Sequence, residues 1–311
     1  MWSNGDAWVL REIFRVGSLD GEGPDVFGEI RDIELGPTGD LYILDGQADE
    51  VRVFGPDGGH LRTFGRTGEG PGELNRPAGM ALDSDGLLWV MNWGNARYSA
   101  YDPNVGELVT ERRRLAGFTS FPWPGSFDRE GRLLDVGLSL QGDRGGDPAI
   151  LRLDSAFVPT DTLPMPRPDE KYTIAFRRNG VMFMSTMVPF APQPSWSPRP
   201  DGGIVVGEGA AYRLHRIGFD SDTTMTIEVL REPVAVSRAE RDSALAAFRQ
   251  RAGQEDGLEP DREPRIPETR PAHGALFVDD EDRIWVRRTV AAGAAPAWDV
   301  IDAEGRFLGS V

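Results

Sequence analysis

The chain has 311 residues, including 38 Gly, 24 Pro and no Cys, and a formal net charge of −16 at pH 7. The lack of cysteine excludes disulfides, thiolate zinc sites and cysteine nucleophiles. The acidic balance repels polyanions, so nucleic acid is not an expected partner, and no apolar run approaches the ~20 residues of a membrane-spanning helix.

The N-terminus, MWSNGDAWVLREIFRVG, has no basic n-region and no apolar h-region, so no signal peptide is read in this chain. Trp8–Val16 resembles the fourth strand of the repeat that follows. Residues 15–58 match 62–105 at a shift of 47, without a gap. Arg15 falls on Arg62, Gly21-Glu22-Gly23-Pro24 on Gly68-Glu69-Gly70-Pro71, Gly39 on Gly86, and Phe54 on Tyr101. A fixed period of about 40–50 residues marks a repeat architecture. Inside a copy, Ile30–Leu35 alternates, Leu41–Leu44 is a short apolar run, Val51 and Val53 alternate, and Leu61–Phe64 follows. Gly, Pro and Asp turns separate these runs, so four short strands form an up-and-down sheet. Four-stranded sheets at this period are blades of a β-propeller, an all-β fold.

Five blades are expected, at about residues 27–66, 74–116, 121–165, 191–231 and 272–311 of a single domain spanning 1–311. Tyr42, Trp89 and Trp285 share one repeat position and are expected to pack between blades. Lys171–Pro189 holds an Asn-Gly between apolar runs, which predicts an inserted hairpin. Ser237 and Glu240 form a capping box at the head of a helix over 237–252. A Pro- and charge-rich arm covers 255–270. Because the chain stops after the fourth strand of the fifth blade, either Trp8–Val16 completes a five-bladed ring or part of a sixth blade is lacking.

Residues at the start of each innermost strand are the candidate channel or ligand-binding positions. They are Glu29, Arg31 and Asp32, then Asn75 and Arg76, then Trp123, Trp196 and His273. These side chains either fill a solvated channel and pair with each other or hold a ligand. His273 and Glu29 are the candidates for catalysis, His273 as a general base that needs a partner to fix its tautomer. Where the second copy has Asn75-Arg76, the first has Gly28-Glu29.

The segment F-G-R-T-G-E-G-P-G-E-L at 64–74, the N-x-R of Asn95–Arg97 and W-D-V-I-D-A-E-G-R-F-L-G at 298–309 resemble bacterial six-bladed β-propeller proteins of the NHL-repeat kind. The resemblance implies a six-bladed ring of which this chain lacks part of the last blade; an extracytoplasmic (periplasmic or secreted) location is expected alongside a binding role. It implies no particular activity. Six-bladed lactonases and phosphotriesterases are similar in architecture and hold calcium with Glu, Asn and Asp. That similarity would make Glu29, Asp32 and Asn75 the metal candidates, although a hard cation wants six to eight oxygens. The leading expectation is a recognition or scaffold propeller that binds a peptide, glycan or protein across one face. The alternative is a calcium-dependent hydrolase of lactones or related esters. The sequence leaves the oligomeric state open.

Overall fold

The computed structural model describes residues 8–9, 11–19, 21–115, 122–139, 146–220, 222–254 and 258–311. The predicted start of the third blade at 121 and the head of the arm at 255–257 lie outside these residues. The fold is all-β, of the β-propeller type. Six antiparallel sheets and one α-helix are present among the described residues. The chain divides into two compact units.

The N-terminal unit covers Leu10–Met165 with Pro198–Gly203. Its first sheet is β1 (Ile30–Leu35), β2 (Leu41–Asp45), β3 (Glu50–Phe54) and β4 (His60–Phe64). The second is β5 (Pro77–Leu82), β6 (Leu88–Asn92), β7 (Arg97–Asp102) and β8 (Glu107–Arg113). The third is β9 (Ser126–Phe127), β10 (Leu133–Leu138), β11 (Pro148–Leu153) and β12 (Pro159–Pro164). Each sheet is a meander in which sequential strands are neighbours. The two middle strands of each sheet are mostly buried. Tyr42, Leu44, Val51 and Val53 of the first sheet pack on Met80, Leu88, Val90 and Tyr101 of the second. Trp89 meets the third sheet, with its ring centroid 4.6 Å from that of Phe157. Tyr42 and Trp89 therefore pack between sheets, as expected.

The Gly-Glu-Gly-Pro signature is joinery. Asn95 Nδ2 donates to the carbonyls of Gly68 (3.0 Å) and Glu73 (3.3 Å), and Arg97 donates to those of Glu69, Gly70 and Glu73. Glu73 accepts the Gly70 N–H at 2.8 Å. The N-x-R motif thus clamps the crossing from one sheet to the next, where carbonyls point away from any ladder and need donors.

The C-terminal unit covers Pro166–Ser197 and Ile204–Val311 with Met1–Val9. Its elements are β13 (Thr173–Arg178), β14 (Val181–Met187), β15 (Ser195–Pro198), β16 (Ile204–Gly207), β17 (Arg213–Ile217), β18 (Thr223–Glu228), α1 (Arg238–Gln254), β19 (Glu259–Pro260), β20 (His273–Val278), β21 (Ile284–Arg288), β22 (Trp298–Ile301) and β23 (Phe307–Ser310). Strands β15–β18 and β20–β23 are the fourth and fifth predicted blades. The predicted hairpin forms with Asn179 and Gly180 at φ 52° and 79°, as a tight Asn-Gly turn requires. It is more than an insertion, however. Phe176 and Arg177 pair with Pro260 and Glu259, so β14, β13 and β19 make a sixth, three-stranded sheet.

The capping box of α1 is formed: Ser237 Oγ accepts the Glu240 N–H at 3.2 Å, and Glu240 accepts the Ser237 N–H at 2.9 Å. Phe248 of α1 packs on the core of this sheet, 5.7 Å from Phe176. The predicted strand at Trp8–Val16 is not formed among its described residues. Instead Trp8 lies 5.7 Å from Trp285 and beneath Arg283, and Trp285 also stacks on Phe277.

Candidate functional site

The acidic candidates of the first sheet are engaged by backbone and by arginine. Glu29 is exposed and pairs with Arg31 at 2.5 Å. Its N–H and that of Gly28 donate to Asp45, as do Gln47 and Ala48. Burial alone would raise the Asp45 carboxyl, but these N–H groups hold it below the usual carboxylate range. Asp32 Oδ2 accepts the N–H of Met80, on the edge of the next sheet, at 2.7 Å. Two residues on, Glu34 takes the N–H of Leu82. Burial pushes Asp32 up to about 6 and Glu34 up to about 7, the latter also because Asp32 is near.

On its other side the β5 edge receives the Trp123 N–H, which donates to Ala78 O at 2.8 Å. Gly79 lies between the two. A Cβ there would stand 2.9 Å from both Asp32 Oδ2 and Trp123 Cβ. Asp32 and Trp123 therefore tie the innermost strand to its neighbours.

Asn75 N–H donates to Asn92 Oδ1 at 2.9 Å, repeating what Asp45 does one copy earlier. Arg76, at φ 52°, donates its N–H to Asp49 and lies 4.2 Å over the Trp93 ring. Glu29, Asp32 and Asn75 are thus held by separate partners. Among the described residues no group of three or more His, Cys, Asp or Glu is placed to hold a metal ion. The three candidates do not fit a cation that wants six to eight oxygens.

His273, in the C-terminal unit, is buried. Gly209 N–H donates to its Nε2 at 3.1 Å, so Nε2 carries no proton, and Nδ1–H donates to Gly274 O at 2.9 Å. Both ring nitrogens are occupied by backbone. Burial lowers its pKa, against the pull of the Gly274 carbonyl and Glu208. A Cβ on Gly207 would stand 2.4 Å from His273 Cε1, so this glycine makes the seat for the ring. Trp196 is half-buried on β15.

Two polar clusters escaped sequence reading. In the N-terminal unit the buried Asp135 accepts from Tyr98 Oη, Trp123 Nε1 (2.5 Å) and Val136 N (2.7 Å), and pairs with Arg114 at 3.4 Å. Burial pushes both the Asp135 carboxyl and the Tyr98 hydroxyl up. In the C-terminal unit the buried Asp299 accepts from Tyr212 Oη (2.8 Å) and Ser310 Oγ (2.5 Å) and pairs with Arg231 at 2.9 Å. In both clusters the tyrosine stands at or just before the start of a blade's third strand, the arginine follows its fourth, and the aspartate comes from the next blade. Only an alignment of blades in space brings them together.

Also unforeseen is a groove in the C-terminal unit. One hollow of about 260 Å³ lies among Tyr212, Val229, Leu230, Pro233, Val234 and Ala272. It adjoins one of about 400 Å³ walled by Arg270, Gly274, Arg287 and Arg288. Arg270, Pro271 and Thr289 border both. The walls are mixed, with Glu228, Arg231 and Glu232 beside the apolar residues of the first hollow and three arginines in the second. Arg270 belongs to the predicted arm, and Arg288 ends a strand.

No family profile matches the chain. It is 33% identical over 89 residues to human NHL repeat-containing protein 3 and 31% over 92 residues to the mouse protein. These stretches are 28% and 29% of the chain and 26% of each relative, so the chain spans about a quarter of the curated relatives it matches. Among solved structures, a candidate exported protein of Bacteroides fragilis NCTC 9343 superposes with a TM-score of 0.53 at 13% identity, over 96% of this chain and 75% of its own. Virginiamycin B lyase from Staphylococcus aureus gives 0.43 at 11% identity, over 91% and 69%.

Proposed function

We propose that this chain, a β-propeller protein resembling the NHL-repeat kind, is a recognition or scaffold protein that binds a peptide or protein segment in the groove of its C-terminal unit. The observation that carries the reading is the groove itself. Its two hollows, about 260 and 400 Å³, run together along Arg270, Pro271 and Thr289 and give room for several residues of an extended chain. The inner-strand residues that would serve a calcium-dependent hydrolase are instead tied to backbone and arginine.

A peptide array separates the two readings. Saturable binding of a subset of heptapeptides is expected. Thr289→Trp, at the junction of the hollows, should weaken that binding by about tenfold, a loss of ~1.4 kcal/mol. Leu230→Glu should weaken it less and cannot disturb packing, since Leu230 is 91% exposed. Melting curves control for folding. Failure of every peptide to bind, together with calcium-dependent turnover of a lactone and aryl-ester panel, would replace this reading with the hydrolase one.

A further inference from the structure

The chemistry of the ligand's end can be read from one repeat position, granted the peptide-binding reading above. The last position of the second strand pairs with the start of the innermost strand: Ile30 with Asp45, Pro77 with Asn92, and His273 with Arg288. In the first two sheets that position supplies an acceptor, and Asp45 and Asn92 take N–H groups of the incoming loop. In the last sheet a cation stands there.

Arg287 and Arg288 make no ion pair or side-chain hydrogen bond with the described residues, although the chain has 50 acidic and only 34 basic side chains. Arg270, the third arginine of this hollow, is held by Glu240 and the Phe190 ring, and its buried Nε makes no hydrogen bond. Arg287 and Arg288 border this hollow without an ion-pair partner among the described residues, and an anion with two oxygens matches the guanidinium fork of either.

The adjoining hollow narrows the choice. Val229, Leu230, Val234 and Ala272 offer apolar contact there, and charged groups of its wall are already matched, Glu228 with Arg213 and Arg231 with Asp299. We propose that the groove takes the C-terminal end of a peptide, with its free carboxylate in the arginine hollow and its last apolar side chains in the neighbouring one.

The test uses three N-terminally fluorescein-labelled peptides on the full chain. One is Gly-Ser-Gly-Ala-Leu-Val-Leu with a free C-terminus, the second is its C-terminal amide, and the third is the amide with phosphoserine in the last position. The free acid should bind at least about tenfold tighter than the amide, with the difference shrinking as salt rises. Arg288→Ala and Arg287→Ala should each bring the affinity of the acid toward that of the amide, with a much smaller loss for the amide itself. Arg288→Lys should retain part of the preference. Equal affinity of acid and amide overturns the carboxylate assignment and leaves the binding reading standing. Tightest binding of the phosphopeptide overturns it in favour of a phosphate site. If neither these probes nor any array peptide binds, both readings fall. Melting temperatures of the arginine variants should stay close to the parent's, because neither side chain makes an ion pair or hydrogen bond with the described residues.

Discussion

The two units solve one problem with different chemistry. An innermost strand has an unpaired edge, and its N–H groups need acceptors. In the N-terminal unit the edge of β5 is served by carboxylates, Asp32 on Met80 and Glu34 on Leu82. In the C-terminal unit the edge of β20 is served by a hydroxyl, with Val278 N–H donating to Ser197 Oγ at 3.1 Å. Mechanically the two are equivalent. Electrically they are not, because one set titrates near neutrality and the other never does. Both units then add the same inter-sheet lock, a tyrosine and an arginine on a buried aspartate. Polar residues on inner strands can therefore be sheet fasteners, and being acidic and half-buried does not make them ligands.

The largest expected effect comes from breaking the locks. Asp135→Ala should cost about 3–5 kcal/mol in chemical denaturation, because it strands the Arg114 charge in the interior. Asp299→Ala should cost less, about 2–3 kcal/mol, since the Arg231 side chain is 27% exposed and can turn to water. Equal losses would mean that the two locks are closed to solvent alike.

The next effect is a pH response of opposite sign in the two units. The pKa values of Asp32 and Glu34 are raised to about 6 and 7, above their ordinary 3.8 and 4.5. The folded state therefore binds these protons more tightly than the unfolded chain. This contribution is fully present below about pH 4 and is lost as pH rises through 6 to 7. For His273 the folded pKa is lowered below 6.5, so its contribution is present above that value and is lost as pH falls through the folded pKa. Hydrogen exchange followed from pH 5 to 8 should show the N-terminal unit losing protection relative to the C-terminal unit. Asp32→Asn with Glu34→Gln should flatten the first trend, by roughly 1–2 kcal/mol. His273→Asn should flatten the second.

The smallest effect concerns single edge contacts. Ser197→Ala leaves the Val278 N–H without its acceptor and should cost about 1 kcal/mol at any pH. Asp32→Ala should cost more at pH 5 than at pH 8, because at pH 8 it also removes a buried charge. A Ser197→Ala loss that varied with pH would break the distinction between the units.

The repeat was legible because text at a shift of 47 forces equal turns, and β1 to β8 fall where the alternation and turn residues put them. The blade-to-blade role of Tyr42 and Trp89 was legible for the same reason. The sixth sheet was not, because its third strand is the dipeptide Glu259–Pro260, and no periodicity can be read from two residues. The candidate positions at the strand starts were found, but their partners were not. Asp32 is explained by an N–H on another sheet and His273 by the backbone of Gly209, and neither has a sequence signal. Arg288 was not singled out, because only the strand pairing shows that it stands where earlier copies have Asp45 and Asn92. The groove it borders was not visible, because its other wall comes from Arg270.

The sixth sheet also dictates an order of assembly. β13 and β14 can meet at once across their Asn-Gly turn, whereas β19 reaches β13 only after the intervening chain, the four-stranded sheet β15–β18 and α1 among it, has been laid down. The entropy of closing so long a loop must be met before the two-residue strand returns any contact energy. The hairpin is thus expected to form early and wait, and the strand that completes it to be the last to join and the first to leave.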